Sequence, residues 1–101
     1  MASEMRTYEL VYILRPDLDE AQRREKMQKV ETLIAQEGGQ VQTTEVWGQR
    51  LLAYEIEHFR EGYYVLVTFS LPADRVETFQ QRLGVDDAFL RYQVVRVDGK
   101  K

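Results

Sequence analysis

The sequence predicts an α+β fold: strands and helices in the order β-α-β-β-α-β, closing into a four-stranded antiparallel sheet with two helices on one face, the ferredoxin-like arrangement. Three observations carry this reading. Two strand-like runs near the middle of the chain are joined by a short polar link. Each side of that pair holds a stretch with helical spacing. Alternating runs open and close the chain.

Residues 6–14 alternate, with Tyr8, Leu10, Tyr12 and Leu14 on one face and Thr7, Glu9, Val11 and Ile13 on the other. Successive strand side chains point to opposite faces, and one apolar beside one mixed face suits the middle of a sheet. Arg15-Pro16-Asp17 ends the run, because proline disfavours helix at the residue before it. A helix is predicted over 19–37, with Asp17 or Asp19 as its N-cap. Met27, Val30, Leu33 and Ile34 fall on one side of it, as an amphipathic helix requires. Asp19–Arg23, Glu20–Arg24 and Glu25–Lys29 are acid-before-base pairs, each a contribution of ~0.2–0.5 kcal/mol on a solvated face. Gly38-Gly39 stops the helix, with Gly38 at the left-handed C′ position.

Residues 40–47 alternate weakly, which predicts an edge or a protruding ribbon. Gly48 marks a bulge or bend within a longer strand, which continues over 50–57 with Leu52, Tyr54 and Ile56 toward the core. His58-Phe59-Arg60-Glu61-Gly62 reads as the hairpin link. The return strand lays Tyr63, Val65, Val67 and Phe69 on the core. Pro72 suits the opening turn of a second helix, Asp74 and Glu77 suit its positive end, and Val76, Phe79 and Leu83 form its buried side. Gly84 ends it. The last strand, 88–97, carries Leu90, Tyr92 and Val94 on one face and Phe89, Arg91, Gln93, Val95 and Val97 on the other. Each helix joins strands that can be neighbours through a right-handed crossover. The face away from the helices is expected to carry Val11, Ile13, Leu51, Ala53, Tyr64, Leu66, Arg91, Gln93 and Val95. An exposed patch of that kind usually marks a binding surface.

The 101 residues are read as a single ferredoxin-like domain, with 1–5 a frayed lead-in and 98–101 a short tail. The chain has no cysteine, which excludes disulfides and thiolate chemistry. Its first residues hold no apolar segment of a signal peptide, and no apolar run approaches the roughly 18 residues of a membrane span. With 14 basic and 17 acidic residues the net charge is −3. Net charge therefore supplies no attraction for nucleic acid, and such a role needs basic residues gathered in one place.

Catalysis finds little support. His58 is the single histidine and sits in the hairpin link; Asp86-Asp87 reads as a loop pair; Ser3 and Ser70 lack a base. The glycines match neither a phosphate-cradling loop nor a dinucleotide fingerprint. No enzyme activity, cofactor, metal or small-molecule substrate is expected, and no membrane association. The same topology builds the RNA-recognition motif, which stacks bases on strand aromatics. Here Arg60-Glu61-Gly62-Tyr63-Tyr64-Val65 places Glu61 where a basic residue belongs and Val65 where a second stacking aromatic belongs, so it reads as a core strand. There remain basic residues at strand ends, Arg6, Arg50, Arg91 and Arg96. Arginine's forked donors suit phosphate contacts.

Gly48-Gln49-Arg50-Leu51-Leu52-Ala53-Tyr54-Glu55-Ile56 followed by Gly62-Tyr63-Tyr64 resembles the signature of the bacterial small-ribosomal-subunit protein six family. Arg6-Thr7-Tyr8-Glu9 with Ile13-Leu14-Arg15-Pro16-Asp17-Leu18 resembles that family's opening strand and turn. Leu90-Arg91-Tyr92 with Val94-Val95-Arg96-Val97 resembles its last strand. The resemblance implies a cytoplasmic, ribosome-associated structural protein. It implies binding to the central domain of small-subunit ribosomal RNA, jointly with small-subunit protein eighteen, with Arg6, Arg50 and Arg91 as RNA contacts. Leu51 stands where the family often has a second basic residue, and Glu55 where it often has proline; both lower the local positive charge. The competing readings are a dimerising or small-molecule-sensing ferredoxin-like module outside the ribosome, and a small enzyme with His58 as base.

Overall fold

The computed structural model describes residues 4–97. Its elements are β1 (Met5–Leu14), α1 (Glu20–Gln36), β2 (Gln40–Ile56), β3 (Phe59–Pro72), a 3-10 turn (Ala73–Arg75), α2 (Val76–Gly84) and β4 (Phe89–Arg96). The sheet order is β2-β3-β1-β4, antiparallel throughout. The sequence reading made the strands joined through each helix possible neighbours; instead one strand lies between them, β3 between β1 and β2 and β1 between β3 and β4. Hairpin pairing of β2 with β3 leaves β3's other edge for β1, so each crossover skips one strand. The helices pack on each other, α1 against β2 and α2 against β4, and form one layer.

Between the layers lies the core. Tyr8, Leu10, Tyr12 and Leu14 of β1 meet Val65, Val67, Phe69 and Leu71 of β3, with Val30, Leu33 and Ile34 of α1 and Phe79 and Leu83 of α2 above them. Complete burial of side chains of this size is worth ~1.5–3 kcal/mol each. Asp19 is the N-cap of α1: its carboxylate accepts from the Gln22 N–H at 2.8 Å while the Gln22 side chain accepts from the Asp19 N–H at 2.9 Å. That reciprocal box satisfies two orphan donors. Asp17 instead pairs with Arg15. Gly38, at φ +89°, takes the left-handed position after the helix.

Four register shifts interrupt the sheet, one of them between Leu51 and Ile56 at the hairpin end. In β2, Val41 pairs with Phe69 but Thr43 with Thr68, and Val46 with Val65 but Gly48 with Tyr64. Each of these two shifts inserts one residue and reverses the alternation beyond it. The second falls at Gly48, whose φ of +87° is the conformation of a glycine bulge. After it Arg50 lies opposite Gly62 and Leu51 opposite Glu61. Arg50 thus shares the open face with Tyr64. Leu51 turns to the helix side beyond the end of the helix layer, where it is 76 % exposed. Leu52 and Tyr54 also reach the open face instead of the core, Leu52 closing over Gly62 and Tyr54 lying under Arg91. A third shift, between Ile13 and Leu14, lets Leu14 pair with Phe89. Phe89 therefore enters the core edge-on to Tyr12.

The hairpin also turns earlier and more tightly than expected. Ile56 pairs with Phe59, and Glu57 and His58 form a two-residue turn with φ of 50° and 71°. Phe59 to Gly62, assigned to the link from sequence, belong to β3. From residue 49 to residue 60 only Leu52, Ile56 and Phe59 are even half-buried, so this end of the hairpin projects past the helices. The expected frayed lead-in lies partly outside the described residues, although Met5 already pairs with Pro72; the expected tail, 98–101, lies outside them.

Candidate nucleic-acid interface

The face opposite the helices is built in rows across the strands. One row runs from Gly48 through Tyr64 and Ile13 to Arg91. Because the bulge inserts Trp47 beside Gly48, the indole lies on this face, stacked on the Tyr64 ring at 6.3 Å between centroids and 18° between planes. The Arg50 guanidinium sits over the indole at 5.3 Å. At the other edge of the sheet, Arg91 lies over the Tyr54 ring at 5.2 Å, which Tyr54 reaches by the turn of the hairpin end toward this face. Beneath, Ile13 is buried although it points away from the helices. A side chain at Gly62 would collide with its Cγ2, and Leu52 closes over the same spot.

Electrostatics distinguish Arg50 and Arg91 from the other basic side chains. Arg15 pairs with Asp17, Arg24 with Glu20, Arg60 with Glu55, Lys26 and Lys29 with Asp86, and Arg75 and Arg82 with Glu37. Arg23 donates to the Leu18 carbonyl and covers Tyr63. Arg50 and Arg91 have no carboxylate or carbonyl partner among the described residues, and both are exposed. Their contacts are with aromatic rings, which leave the guanidinium N–H groups to solvent or a ligand. A cation–π contact at an exposed site holds by only ~0.5–1 kcal/mol.

The four arginines singled out from sequence do not form one group. Arg6 pairs across the sheet with Leu71, and Arg96 with Tyr8, so both point to the helix side at the start of β1. Arg6 lies 3.8 Å from Glu4. Arg50 and Arg91 point to the open face at the far end of β1, roughly 20 Å away by strand rise. Sequence reading missed Trp47 and Tyr54 as members of this face. The Gly48 signal was present in the sequence, and the bulge it marks places Trp47 on this face.

His58, the candidate base, is exposed at the tip of the turn. Among the described residues no cluster of His, Cys, Asp and Glu converges as a metal site, and no helix is long and apolar enough to cross a membrane.

Comparison with known proteins agrees with this architecture. Residues 7–96 match the sequence profile of ribosomal protein S6. The small ribosomal subunit protein bS6 of Caldanaerobacter subterraneus is 38 % identical over 94 residues, spanning 93 % of this chain and 99 % of that one. That of Natranaerobius thermophilus is 40 % identical over 92 residues, spanning 91 % and 96 %. The crystal structure of 30S ribosomal protein S6 from Thermotoga maritima superposes with a TM-score of 0.87 at 27 % identity, covering 93 % of this chain and 89 % of that one. With the sequence profile, the relatives' identity over nearly their whole length and the structural superposition in agreement, the chain belongs to the ribosomal protein S6 family, a family of small-ribosomal-subunit proteins.

Proposed function

We propose that this ribosomal protein is a non-catalytic structural component that binds the central domain of small-subunit ribosomal RNA jointly with small-subunit protein eighteen, in the cytoplasm. Arg6, Arg50, Arg91 and Arg96 are its RNA contacts. The observation that carries the reading is the pair of exposed guanidiniums, Arg50 and Arg91, left without an acidic partner on the open face of a chain whose net charge is −3. Cations held only by aromatic rings can be transferred to phosphates without breaking an ion pair. So few contacts give a modest electrostatic affinity, which accounts for the need for a protein partner on the same RNA.

The test is a salt titration of binding to a central-domain RNA fragment, with and without protein eighteen. Log affinity is expected to fall linearly with log salt. Arg50→Gln and Arg91→Gln are each expected to reduce that slope by about 1 and to weaken binding. Unchanged affinity and slope in both variants would remove the contact assignment.

A further inference from the structure

The hairpin end of the open face holds more than charge. Trp47 and Tyr64 present two nearly parallel rings, with Arg50 over one of them. Arg91 stands three strands away, roughly 14 Å by strand spacing, over a further ring, Tyr54. Half-buried Trp47 and Tyr64 and exposed Tyr54, flanked by uncompensated guanidiniums, fit a ligand that is both flat and anionic. Single-stranded RNA supplies a flat base and a phosphate at every nucleotide. Acidic residues on the same face bound the site: Glu45 pairs across from Leu66, and Glu9 from Thr68, both further along the strands. At the same end of the hairpin Glu61, on the helix-side face, is engaged by Gln49, and Glu55 by Arg60.

We propose that this patch is a stacking site for an unpaired RNA nucleobase: the base takes the face of Trp47 beside Tyr64, and the Arg50 guanidinium moves from the indole to the adjacent phosphate. In the free protein the guanidinium covers the ring that the base will use. The exchange replaces one cation–π contact with a stacked base and a charge-assisted hydrogen bond. Arg91 contacts the backbone at the other margin. This deepens the assignment as an RNA-binding ribosomal protein, and rests on it.

Trp47 is the only tryptophan of the chain, so its emission reports on the site. The experiment titrates the full-length protein with a central-domain RNA fragment, then with protein eighteen, then with both. Subtracting the emission of the Trp47→Phe protein in the same mixtures isolates the signal of Trp47. The expected result is quenching on RNA addition. A roughly tenfold loss of RNA affinity is expected in Trp47→Leu, with most of it recovered in Trp47→Phe, which keeps a stacking ring. Far-UV circular dichroism verifies that both variants are folded, and Arg50→Gln, at an exposed position, gives the independent reading as a reduced salt slope. RNA binding with unchanged Trp47 emission and undiminished Trp47→Leu affinity overturns the stacking site and leaves the RNA-binding role standing. A Trp47 response to protein eighteen alone, with RNA adding nothing, makes the patch a protein-docking surface and also overturns it. Absence of RNA binding in every mixture removes both readings.

Discussion

Asp86 closes the loop between α2 and β4 onto α1. Its carboxylate accepts from Lys26 Nζ at 2.7 Å, from Lys29 Nζ at 2.8 Å and from the Ala88 N–H at 3.0 Å, with the side chain only 9 % exposed. Burial alone would raise its pKa; the two ammonium groups and the amide outweigh burial and hold the carboxyl well below the usual range. A carboxylate depressed in the fold contributes stability that is present above its ordinary titration range, about pH 4, and is lost as the pH falls through the folded value. Asp86→Asn is expected to cost about 2 kcal/mol at neutral pH in urea unfolding, with the difference from the parent shrinking in acid. Tyr12 makes the opposite case. Its ring is fully buried against Phe89, and its hydroxyl has no hydrogen-bond partner among the described residues. Burial, then the nearby Glu31 and Tyr63, push its pKa above the ordinary tyrosine value. The unfolded chain ionises there first, so this group lowers stability as the pH rises above about 10. Tyr12→Phe is expected to gain up to about 1 kcal/mol at neutral pH, because an unmade hydrogen bond is removed. It should also flatten the alkaline limb of the stability profile.

At the scale of elements, the hairpin turn stores the clearest strain. Two consecutive residues at positive φ make the two-residue turn that matches strand twist, a position that favours Asn-Gly. Here it is filled by Glu57-His58. Glu57→Asn with His58→Gly is expected to stabilise the protein by about 1 kcal/mol, read as a raised urea midpoint with an unchanged slope. Gly62 is constrained in the opposite sense, since any side chain there meets Ile13; Gly62→Ala is expected to cost roughly 1–3 kcal/mol. These elements also show what the sequence could and could not convey. β1, β3 and α1 were legible because an unbroken period governs each: Tyr8 to Leu14, Tyr63 to Phe69, and Val30, Leu33 and Ile34 all went to the core. β2 and β4 were legible as strands but not as faces. A bulge keeps the composition of a strand and reverses its alternation. Leu52 and Tyr54 therefore looked like core residues, and Phe89 like an outward one. The turn was misplaced because its residues are not the ones its backbone favours.

For the whole molecule, element order was sufficient to deduce two layers with the helices on one of them. It could not fix how widely the strand-end arginines are separated, because that depends on which strands lie side by side and on which way each residue faces. The result is two basic positions: Arg6 and Arg96 near the start of β1, and Arg50 and Arg91 at its far end on the opposite face. Their separation, roughly 20 Å by strand rise, exceeds the Debye length of about 8 Å at physiological salt. Two such sites should act independently on a large polyanion, with pair energies that add to within about 0.5 kcal/mol. The double variant Arg6→Gln/Arg96→Gln and the double variant Arg50→Gln/Arg91→Gln are each expected to lower the salt slope of RNA binding by about 2, and the quadruple variant by about 4. The measurement is the same titration against the central-domain fragment with protein eighteen present. If one pair leaves the slope untouched while the other lowers it, the RNA lies along one end only, and the silent pair is released from the contact set.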